Sequence, residues 1–563
     1  VSYCTRYKIT PIHQHGRLKV KTTAEQQAEK KKEKDKKLAE YLLACEKFFH
    51  KKKENEYDAD SDSVSRQLLL SNADFYTVWN FRKELLLNYK ILKSEGEFHE
   101  VCQLELGLTE SCLKSNPKSY GAWHHRSWVL LNDPESDWEK ELKLCKAYLQ
   151  LDDRNFHCWD HRRFVVDHGK FPADGEIKFT IDLINNNFSN YSSWQYRSKL
   201  LTHHSSKEEN TLLAELELVQ NATFTDPSDQ SGWLYYQWLL GGSKRGRDIM
   251  YVNYDKEQKV FLVCYTQALE QSEVSVDIIT EGEGAIIWES PGMSRFSRLW
   301  SAKLQDTCKV VAVKLSENDK ISINESSDLF QIKNFSTWFL HQISPTVLTY
   351  LQRELCNYEE LLSLEPDSKW TLLTTAHIMK YLDSKKPFHE KIYCNKILES
   401  YDRLIELDPY RRNYYLDSKG KEVVEQKISG QVMGGDVGSI DLSCLELISL
   451  THKELLAPFK EIRLSKNNLT KLDAKDFICC RRLYLDHNKL KNFNDPLPNC
   501  LEYLDISNNE IGKLEDVFMI FPSSKLSTLL IAGNPICNNA DEISSLKRAL
   551  PTAEIITQDG ISR

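Results

Sequence analysis

The sequence predicts a multidomain, mainly α protein. It reads as a right-handed α–α helical-hairpin solenoid, interrupted by an all-β insert of immunoglobulin-like sandwich type and followed by a leucine-rich repeat domain. Three observations predict this. First, an Asn or Asp stands seven residues before each of five tryptophans, in the pairs Asn72/Trp79, Asn116/Trp123, Asp152/Trp159, Asn187/Trp194 and Asp226/Trp233. The tryptophans step by 44, 36, 35 and 39 residues, the period of stacked helical hairpins. Second, residues 243–333 change to short β-branched and aromatic stretches. Third, the core L-x-L-x-x-N-x-L recurs four times after residue 429.

In the helical unit, the Asn or Asp is read as an N-cap accepting an orphan backbone N–H. Pro117 and Pro227 follow two of these caps at the N1 position, and Ser344–Pro345 and Asp408–Pro409 repeat the signal. Seven residues is about two turns, which fixes the face carrying the tryptophan. Arg82, Arg126, Arg162 and Arg197 follow the first four tryptophans by three positions, near the same face, while Tyr236 replaces the arginine after Trp233. The tryptophans are expected in the core. The arginines are expected to cap or to pair between hairpins, because a hairpin must stack to bury its apolar side.

Along the chain, residues 1–14 lack periodicity and are read as an N-terminal extension. Helical repeats are expected over 15–242. Near their start, Leu38, Leu42, Cys45 and Phe49 mark an amphipathic helix, and Lys30–Lys32, interleaved with Glu29 and Glu33, reads as its solvated face. The insert over 243–333 is expected to hold strands at Val260–Tyr265, Val274–Ile279, Ala285–Trp288, Lys309–Lys314 and Ile321–Asn324. Helices resume over 334–428, with a degenerate hairpin at Leu361–Met379 and the seven-residue spacing kept by Asp408 and Tyr415. Leucine-rich repeats fill 429–563. Their asparagines, Asn467, Asn488, Asn509 and Asn534, are expected to satisfy backbone groups, and a weaker copy at Ile448, Leu450, Lys453 and Leu455 to cap the start.

Composition narrows the function. A formal net charge of −8 argues against a general nucleic-acid binder. No stretch approaches the ~18 apolar residues of a membrane span, and no secretory signal pattern is present. The 15 cysteines form no C-x-x-C pair and read as reduced thiols of a cytoplasmic protein. No phosphate-binding glycine loop, H-E-x-x-H or G-x-S-x-G motif appears, and no metal ligands are predicted. Periodicity alone stops at a scaffold.

The unit N/D-x(6)-W-x-x-R resembles the repeat of protein prenyltransferase α subunits. Asn116-Pro-Lys-Ser-Tyr-Gly-Ala-Trp-His-His-Arg126 is similar to that family's second repeat, and Asp153 to Arg162 to its third. With His15-Gly-Arg-Leu-Lys-Val-Lys-Thr22 and the leucine-rich tail, the likeness covers nearly the whole chain from His15. It is greatest to α subunits of Rab geranylgeranyltransferases. The resemblance implies a transferase active only with a β subunit, which holds the zinc; no cofactor is expected on this chain. It implies transfer of geranylgeranyl from geranylgeranyl diphosphate to C-terminal cysteines of Rab GTPases presented by an escort protein.

The resemblance also implies roles for Lys118, which would reach the isoprenoid diphosphate, and for Tyr120 and His157, which would line the same site. A fixed cationic or hydroxyl donor stabilises the charge that grows on a departing diphosphate. Without the resemblance, Lys118 reads as an exposed residue at a helix start. Two departures stand out. Gly121 replaces the Gln with which the farnesyl and type I α subunit holds a CaaX carboxylate, and Phe156 replaces a Tyr. The alternatives are that farnesyl or type I α subunit, or a non-catalytic helical-repeat and leucine-rich scaffold.

Overall fold

A computed structural model describes residues 24–204, 209–241, 249–281, 286–305, 309–316, 319–322, 329–332, 344–383, 391–433, 437–493, 497–513 and 525–558. The 1–14 extension and the segment from His15 to Thr22 lie outside the described residues, as do Gly434–Gly435 of the linker expected at Ser429–Gly430 and Gly434–Gly435, whose first pair falls within a helix. The chain divides into two compact units, Val1–His204 and Ser205–Arg563.

The first unit is built of α1 (Ala24–Lys53), α2 (Ala59–Ser71), α3 (Tyr76–Leu92), α4 (Glu95–Ser115), α5 (Tyr120–Asn132), α6 (Trp138–Leu151), α7 (Phe156–His168), α8 (Ala173–Asn186) and α9 (Tyr191–His204). Consecutive pairs α4/α5, α6/α7 and α8/α9 form hairpins, and α3, α5 and α7 pack side by side. Local chemistry sets the boundaries. Asp58 caps α2 by accepting the Ser61 N–H, and Ser94 with Glu97 forms a reciprocal capping box at α4. In α1 the buried positions are Ala44 and Phe48, whereas Leu38, Leu42 and Phe49 of the expected stripe are largely exposed.

The seven-residue spacing has a different cause from the one expected. Asn72, Asn116, Asp152 and Asn187 are C-caps of the preceding helices, not N-caps of the tryptophan helices. Their side chains accept the N–H two residues on, closing a tight turn at Asp74, Lys118, Arg154 and Ser189. Pro117 is therefore a turn residue. The N-cap position falls three residues later, at Phe75, Ser119 and Asn155; Phe75 offers no side-chain bond, while Ser119 and Asn155 do. Each indole N–H then donates to the carbonyl six residues back: Trp79 to Ala73, Trp123 to Pro117, Trp159 to Asp153 and Trp194 to Phe188, at 2.8–2.9 Å. The spacing is thus a turn plus a buried indole bond.

Three of the arginines pair between hairpins as expected, each with a glutamate that the sequence reading did not single out, and Arg82 also meets Asp62 at 2.9 Å. Arg82 grips Glu105, Arg126 grips Glu141 and Arg162 grips Glu176, each through two guanidinium nitrogens. The same glutamates meet the next tryptophan helix. His125 Nε2 lies 2.7 Å from Glu105, His161 Nε2 lies 2.8 Å from Glu141, and Tyr196 bonds Glu176. One buried carboxylate therefore ties each hairpin to its successor. Burial works against the ionised form of Glu141, but His161 and Arg126 overcome it and bring its pKa down to about 2.

The second unit opens with α10 (Glu209–Thr225) and α11 (Gln230–Gly241), where Trp233 donates to Pro227 at 2.9 Å and Tyr235 to Glu215 at 2.7 Å. After the insert come α12 (Pro345–Leu364), α13 (Lys369–Asp383), α14 (Cys394–Leu407) and α15 (Arg412–Met433). Ser344 caps α12 with Pro345 behind it, as the sequence predicts. At Asp408 the spacing survives through a direct bond, Tyr415 Oη to Asp408 Oδ2 at 3.2 Å. The α10 helix packs on α12, with Gln220 bonding Glu354 and Thr223 bonding Tyr358.

The insert holds β1 (Ile249–Asp255), β2 (Val260–Leu269), β3 (Asp277–Glu281), β4 (Ser297–Lys303), β5 (Lys309–Ser316), β6 (Asp319–Ser322) and β7 (Leu329–Ile332). Two antiparallel sheets, β4-β2-β1-β7 and β3-β5-β6, share a core of Val252, Phe261, Val263, Tyr265, Ile278, Trp300 and Val313. Residues 286–288 of the expected strand Ala285–Trp288 form none; only the bridge Glu289–Ser301 lies beside them. The sequence reading missed β1, β4 and β7.

The tail is a parallel solenoid: β8 (Ser439–Asp441), β9 (Glu461–Arg463), β10 (Arg482–Tyr484), β11 (Tyr503–Asp505), β12 (Thr528–Leu530) and β13 (Glu554–Ile556), paired in order, with α16 (Ala540–Ala549). Asn488 Nδ2 donates to the Leu464 and Leu485 carbonyls, and its Oδ1 accepts the Leu469 N–H; Asn467, Asn509 and Asn534 bond equivalently. The first turn starts at Ile440 and Leu442, not at the expected copy from Ile448, which lies on the stretch leading to a 3₁₀ turn at Lys453–Leu456. The solenoid core also takes in Met250, Leu262, Cys264 and Leu299 of the insert and Val424 and Ile428 of α15.

Candidate active site

Two neighbouring turns bring Lys118, Tyr120 and His157 together. Lys118 sits in the turn before α5, its N–H held by Asn116 Oδ1 at 3.3 Å. Tyr120 is the first residue of α5 and His157 the second of α7. Asn155 fixes their relation. Its Oδ1 accepts the His157 and Cys158 N–H groups, capping α7, while its Nδ2 donates to the Pro117 carbonyl at 3.0 Å. Ser119 ties the same turn back to the Ala73 carbonyl at 2.9 Å. These bonds leave little slack between the turn and the helix start.

The side chains form a graded site. The Tyr120 ring stands edge-on to the His157 imidazole, with centroids 4.2 Å apart, and Phe156 lies 4.0 Å from the same imidazole. His157 is 7% exposed, whereas Tyr120 is 71% exposed. Burial holds the His157 pKa below the ordinary histidine value; Asp160 raises it and the Lys118 charge lowers it. Lys118 is half-exposed, with the Asp152 carboxylate 3.9 Å from its ammonium. Lys118 and Tyr120 thus leave an ammonium and a phenol on the surface beside the buried imidazole, donor types that can stabilise charge on a phosphate oxygen.

Gly121 has a steric reason. A Cβ there would fall 2.7 Å from Trp79 Cδ1 and 2.8 Å from its Nε1, the nitrogen that donates to Ala73. A longer side chain at 121 would displace that indole. The structural-repeat residues Trp79, Trp123, Trp159, Trp194 and Trp233, with Arg82, Arg126, Arg162 and Arg197, are all buried and lie outside this patch. Asn155 and the linking glutamates escaped the sequence reading. The signal was present: Asn155 stands four residues before Trp159, and Glu105, Glu141, Glu176 and Glu215 each stand 18 residues before a tryptophan.

Three residues before Trp79, Trp123, Trp159 and Trp194 stand Tyr76, Tyr120, Phe156 and Tyr191, each at the first position of its helix and each exposed. Among the described residues, no group of three or more His, Cys, Asp or Glu side chains is placed to hold a metal. No described helix is long and apolar enough to cross a membrane.

The comparisons agree with this construction. The protein prenyltransferase alpha subunit repeat matches residues 102–133, 138–169, 173–204 and 212–242, each a hairpin ending in a tryptophan helix. Mouse geranylgeranyl transferase type-2 subunit alpha is 35% identical over 572 residues, covering 96% of this chain and 100% of the mouse protein. The human counterpart is 33% identical over the same span. That of Dictyostelium discoideum is 37% identical over 235 residues, 41% of this chain and 76% of that protein. Hairpins, tryptophan spacing and end-to-end likeness agree, and the chain belongs to the geranylgeranyl transferase type-2 alpha-subunit family of protein prenyltransferases.

Proposed function

We propose that this chain is the α subunit of a heterodimeric Rab geranylgeranyltransferase. The enzyme moves geranylgeranyl from geranylgeranyl diphosphate to C-terminal cysteine thiols of Rab GTPases presented by an escort protein. The observation that carries the reading is the alignment with type-2 α subunits over 96% of this chain and the whole of the mouse relative. Lys118 is assigned to the leaving diphosphate, Tyr120 to a hydrogen bond at the same site and His157 to its wall. Their supports are the 4.2 Å Tyr120–His157 contact and the exposed Lys118 ammonium. The β subunit supplies the zinc that activates the thiol, since a metal-bound thiol is deprotonated. This chain acts in the cytoplasm and binds no cofactor of its own.

The finer organisation belongs to the same reading. Helical repeats are assigned to the described helices α1–α11 and α12–α15, the last running to Met433 and so past the expected boundary at 428, with an immunoglobulin-like sandwich between them and leucine-rich repeats in the tail. Supporting these names are the two face-to-face sheets of the insert and the asparagine ladder of the tail. The test is labelled geranylgeranyl transfer by this chain co-expressed with a type-2 β subunit. Rab plus escort protein is one substrate and a CaaX protein is assayed in parallel. Transfer to Rab alone is expected. Transfer to the CaaX protein without escort would reassign the chain to the farnesyl or type I class, and an inactive heterodimer would make it a scaffold.

A further inference from the structure

The open face of the tail's parallel sheet already holds one guanidinium, and beside it the same parts recur without one. Register places a row of side chains across β8 to β13: Asp441, Arg463, Tyr484, Asp505, Leu530 and Ile556. Glu461, Arg482 and Tyr503 form the row next to it, and alternation along each strand turns both rows away from the buried leucines. On the β9 side of Tyr484 the arrangement is complete. The Arg463 guanidinium lies 4.7 Å from the Tyr484 ring centroid, and Glu461 holds it at 2.7 Å. Arg482 reaches the same Glu461, also at 2.7 Å. On the β11 side the ring and the carboxylate stand without a cation. The Tyr503 ring centroid lies 5.0 Å from that of Tyr484, and Asp505 is the neighbour of Tyr484 across the strands. Asp505 Oδ1 accepts the Ser507 N–H at 3.0 Å and the Ser507 Oγ–H at 2.6 Å, but among the described residues no cation forms an ion pair with Asp505. Burial and the nearby Asp486 charge hold the Asp505 pKa above the ordinary carboxylate value. Tyr484, Tyr503 and Asp505 are only half-buried, so a partner can reach them.

We propose that this face docks an extended, arginine-bearing segment of another protein, whose guanidinium lies over Tyr503 and bonds the Asp505 carboxylate while an apolar side chain two residues along settles on Leu530 and Ile556. Charge complementarity selects the occupant. The carboxylates of Asp441, Glu461, Asp486, Asp505 and Glu554 outnumber the guanidiniums of Arg463 and Arg482, so the face repels a phosphate backbone or an anionic lipid surface and attracts a cation. A planar guanidinium suits the vacant position better than an ammonium, because it stacks on a ring and bonds a carboxylate at the same time, as Arg463 does on Tyr484 and Glu461. A bound cation also offsets the cost of keeping the half-buried Asp505 ionised. Strand spacing sets the length of the motif. Neighbouring strands lie about 4.8 Å apart, which puts Leu530 and Ile556 about 5 and 10 Å from Asp505 along the row. Two residues of extended chain advance about 6.6 Å and return to the same face, which brings the second side chain between them. The segment therefore reads arginine, any residue, apolar residue. This surface lies wholly within the tail and does not depend on the transferase reading.

The test selects random peptides displayed on phage against the immobilised full chain, then measures the affinity of the selected peptides by fluorescence anisotropy. Wild type is expected to select arginine followed two positions later by Leu, Ile, Val or Phe, and the binding should weaken with added salt. Asp505→Asn keeps the carbonyl that accepts from Ser507 and removes only the charge; it is expected to weaken binding by about tenfold or more. Tyr503→Leu is expected to weaken it by about fivefold or more and Tyr503→Phe to restore it, since a leucine fills the space and only a ring stacks. Lysine in place of the peptide's arginine should bind more weakly, and glutamate not at all. A selection that yields no peptide, or peptides without arginine, overturns this surface. So does binding that Asp505→Asn and Tyr503→Leu leave unchanged while both variants unfold at the wild-type temperature.

Discussion

The helical repeats and the parallel tail solve one problem with different chemistry. Both are one-dimensional stacks whose units depend on their neighbours, and both place a buried polar side chain at each junction. In the tail the junction is a neutral amide. Asn488 satisfies carbonyls of two successive turns and an N–H of the strand side, all groups of the backbone. In the helical array the junction is a charged side-chain triad, a glutamate shared by the arginine of one hairpin and the histidine or tyrosine of the next. A neutral ladder holds at any ordinary pH. A charged junction is stronger when complete, because removing one member strands a buried charge, and it is open to acid.

The contrast can be broken most forcefully at Glu141. Replacing it by Ala leaves Arg126 and His161 buried without their partner, and a loss of about 3–5 kcal/mol is expected in urea unfolding of the complex-free chain. A loss below about 1 kcal/mol would mean the junctions do not hold the hairpins together. Acid provides the matched experiment. The Glu141 pKa is lowered, to about 2, from an unfolded value near 4.5, so its stabilisation is present above 4.5 and lost as pH falls toward 2. Helical signal should therefore fail in acid before the tail does, and Glu141→Gln should reduce that dependence.

Asn488→Ala is the equivalent cut in the tail. It strands two carbonyls and one N–H, and a loss of about 1–3 kcal/mol is expected, unchanged between pH 3 and 7. A pH-dependent loss would erase the distinction drawn above. A smaller effect of opposite sign is expected at Glu354, whose carboxyl is buried on α12 against α10. Burial raises its pKa to about 7, above the unfolded value, so the fold is penalised increasingly as pH rises from 4.5 through 7. Glu354→Gln should then stabilise the chain by about 1–2 kcal/mol at pH 8 and by almost nothing at pH 4.5, read from chemical denaturation at the two values. Lys118→Ala should barely move stability, within about 0.5 kcal/mol, because its side chain is half-exposed. It should nonetheless slow geranylgeranyl transfer by about ten- to a hundredfold with the heterodimer intact. Unchanged transfer would remove Lys118 from the site.

What the sequence made legible follows the same division. The asparagines of the tail were readable because each appears in its own short motif with its leucines beside it. The tryptophan spacing was readable too, but its cause was misassigned. An Asn followed by Pro suits a helix start and a tight turn alike, and only the indole bond to the residue-117 carbonyl separates the two. The linking glutamates went unnoticed because their partners come from two different helices, 20 residues apart for His161 and 15 for Arg126. Strands β1 and β4 hid for a related reason. Their sheet is buried on both faces, one in the insert's own core and one against the tail, so alternation of polar and apolar residues is weak. Lys118, Tyr120 and His157 came from a resemblance, and Asn155, the residue that fixes their spacing, stood in plain view four positions before Trp159.

One consequence of the α10–α12 packing concerns the continuity of the chain itself. Gln220 and Thr223 find Glu354 and Tyr358, 134 and 135 positions further along the chain, so the neighbour relation is carried by side chains and not by the linker. The array behaves like a row of bricks mortared face to face, in which the string threading them can wander off and return. That is a physical basis for accommodating a whole β module in the middle of a helical stack. It also means that a polypeptide severed between α11 and α12 should still reassemble from its two halves.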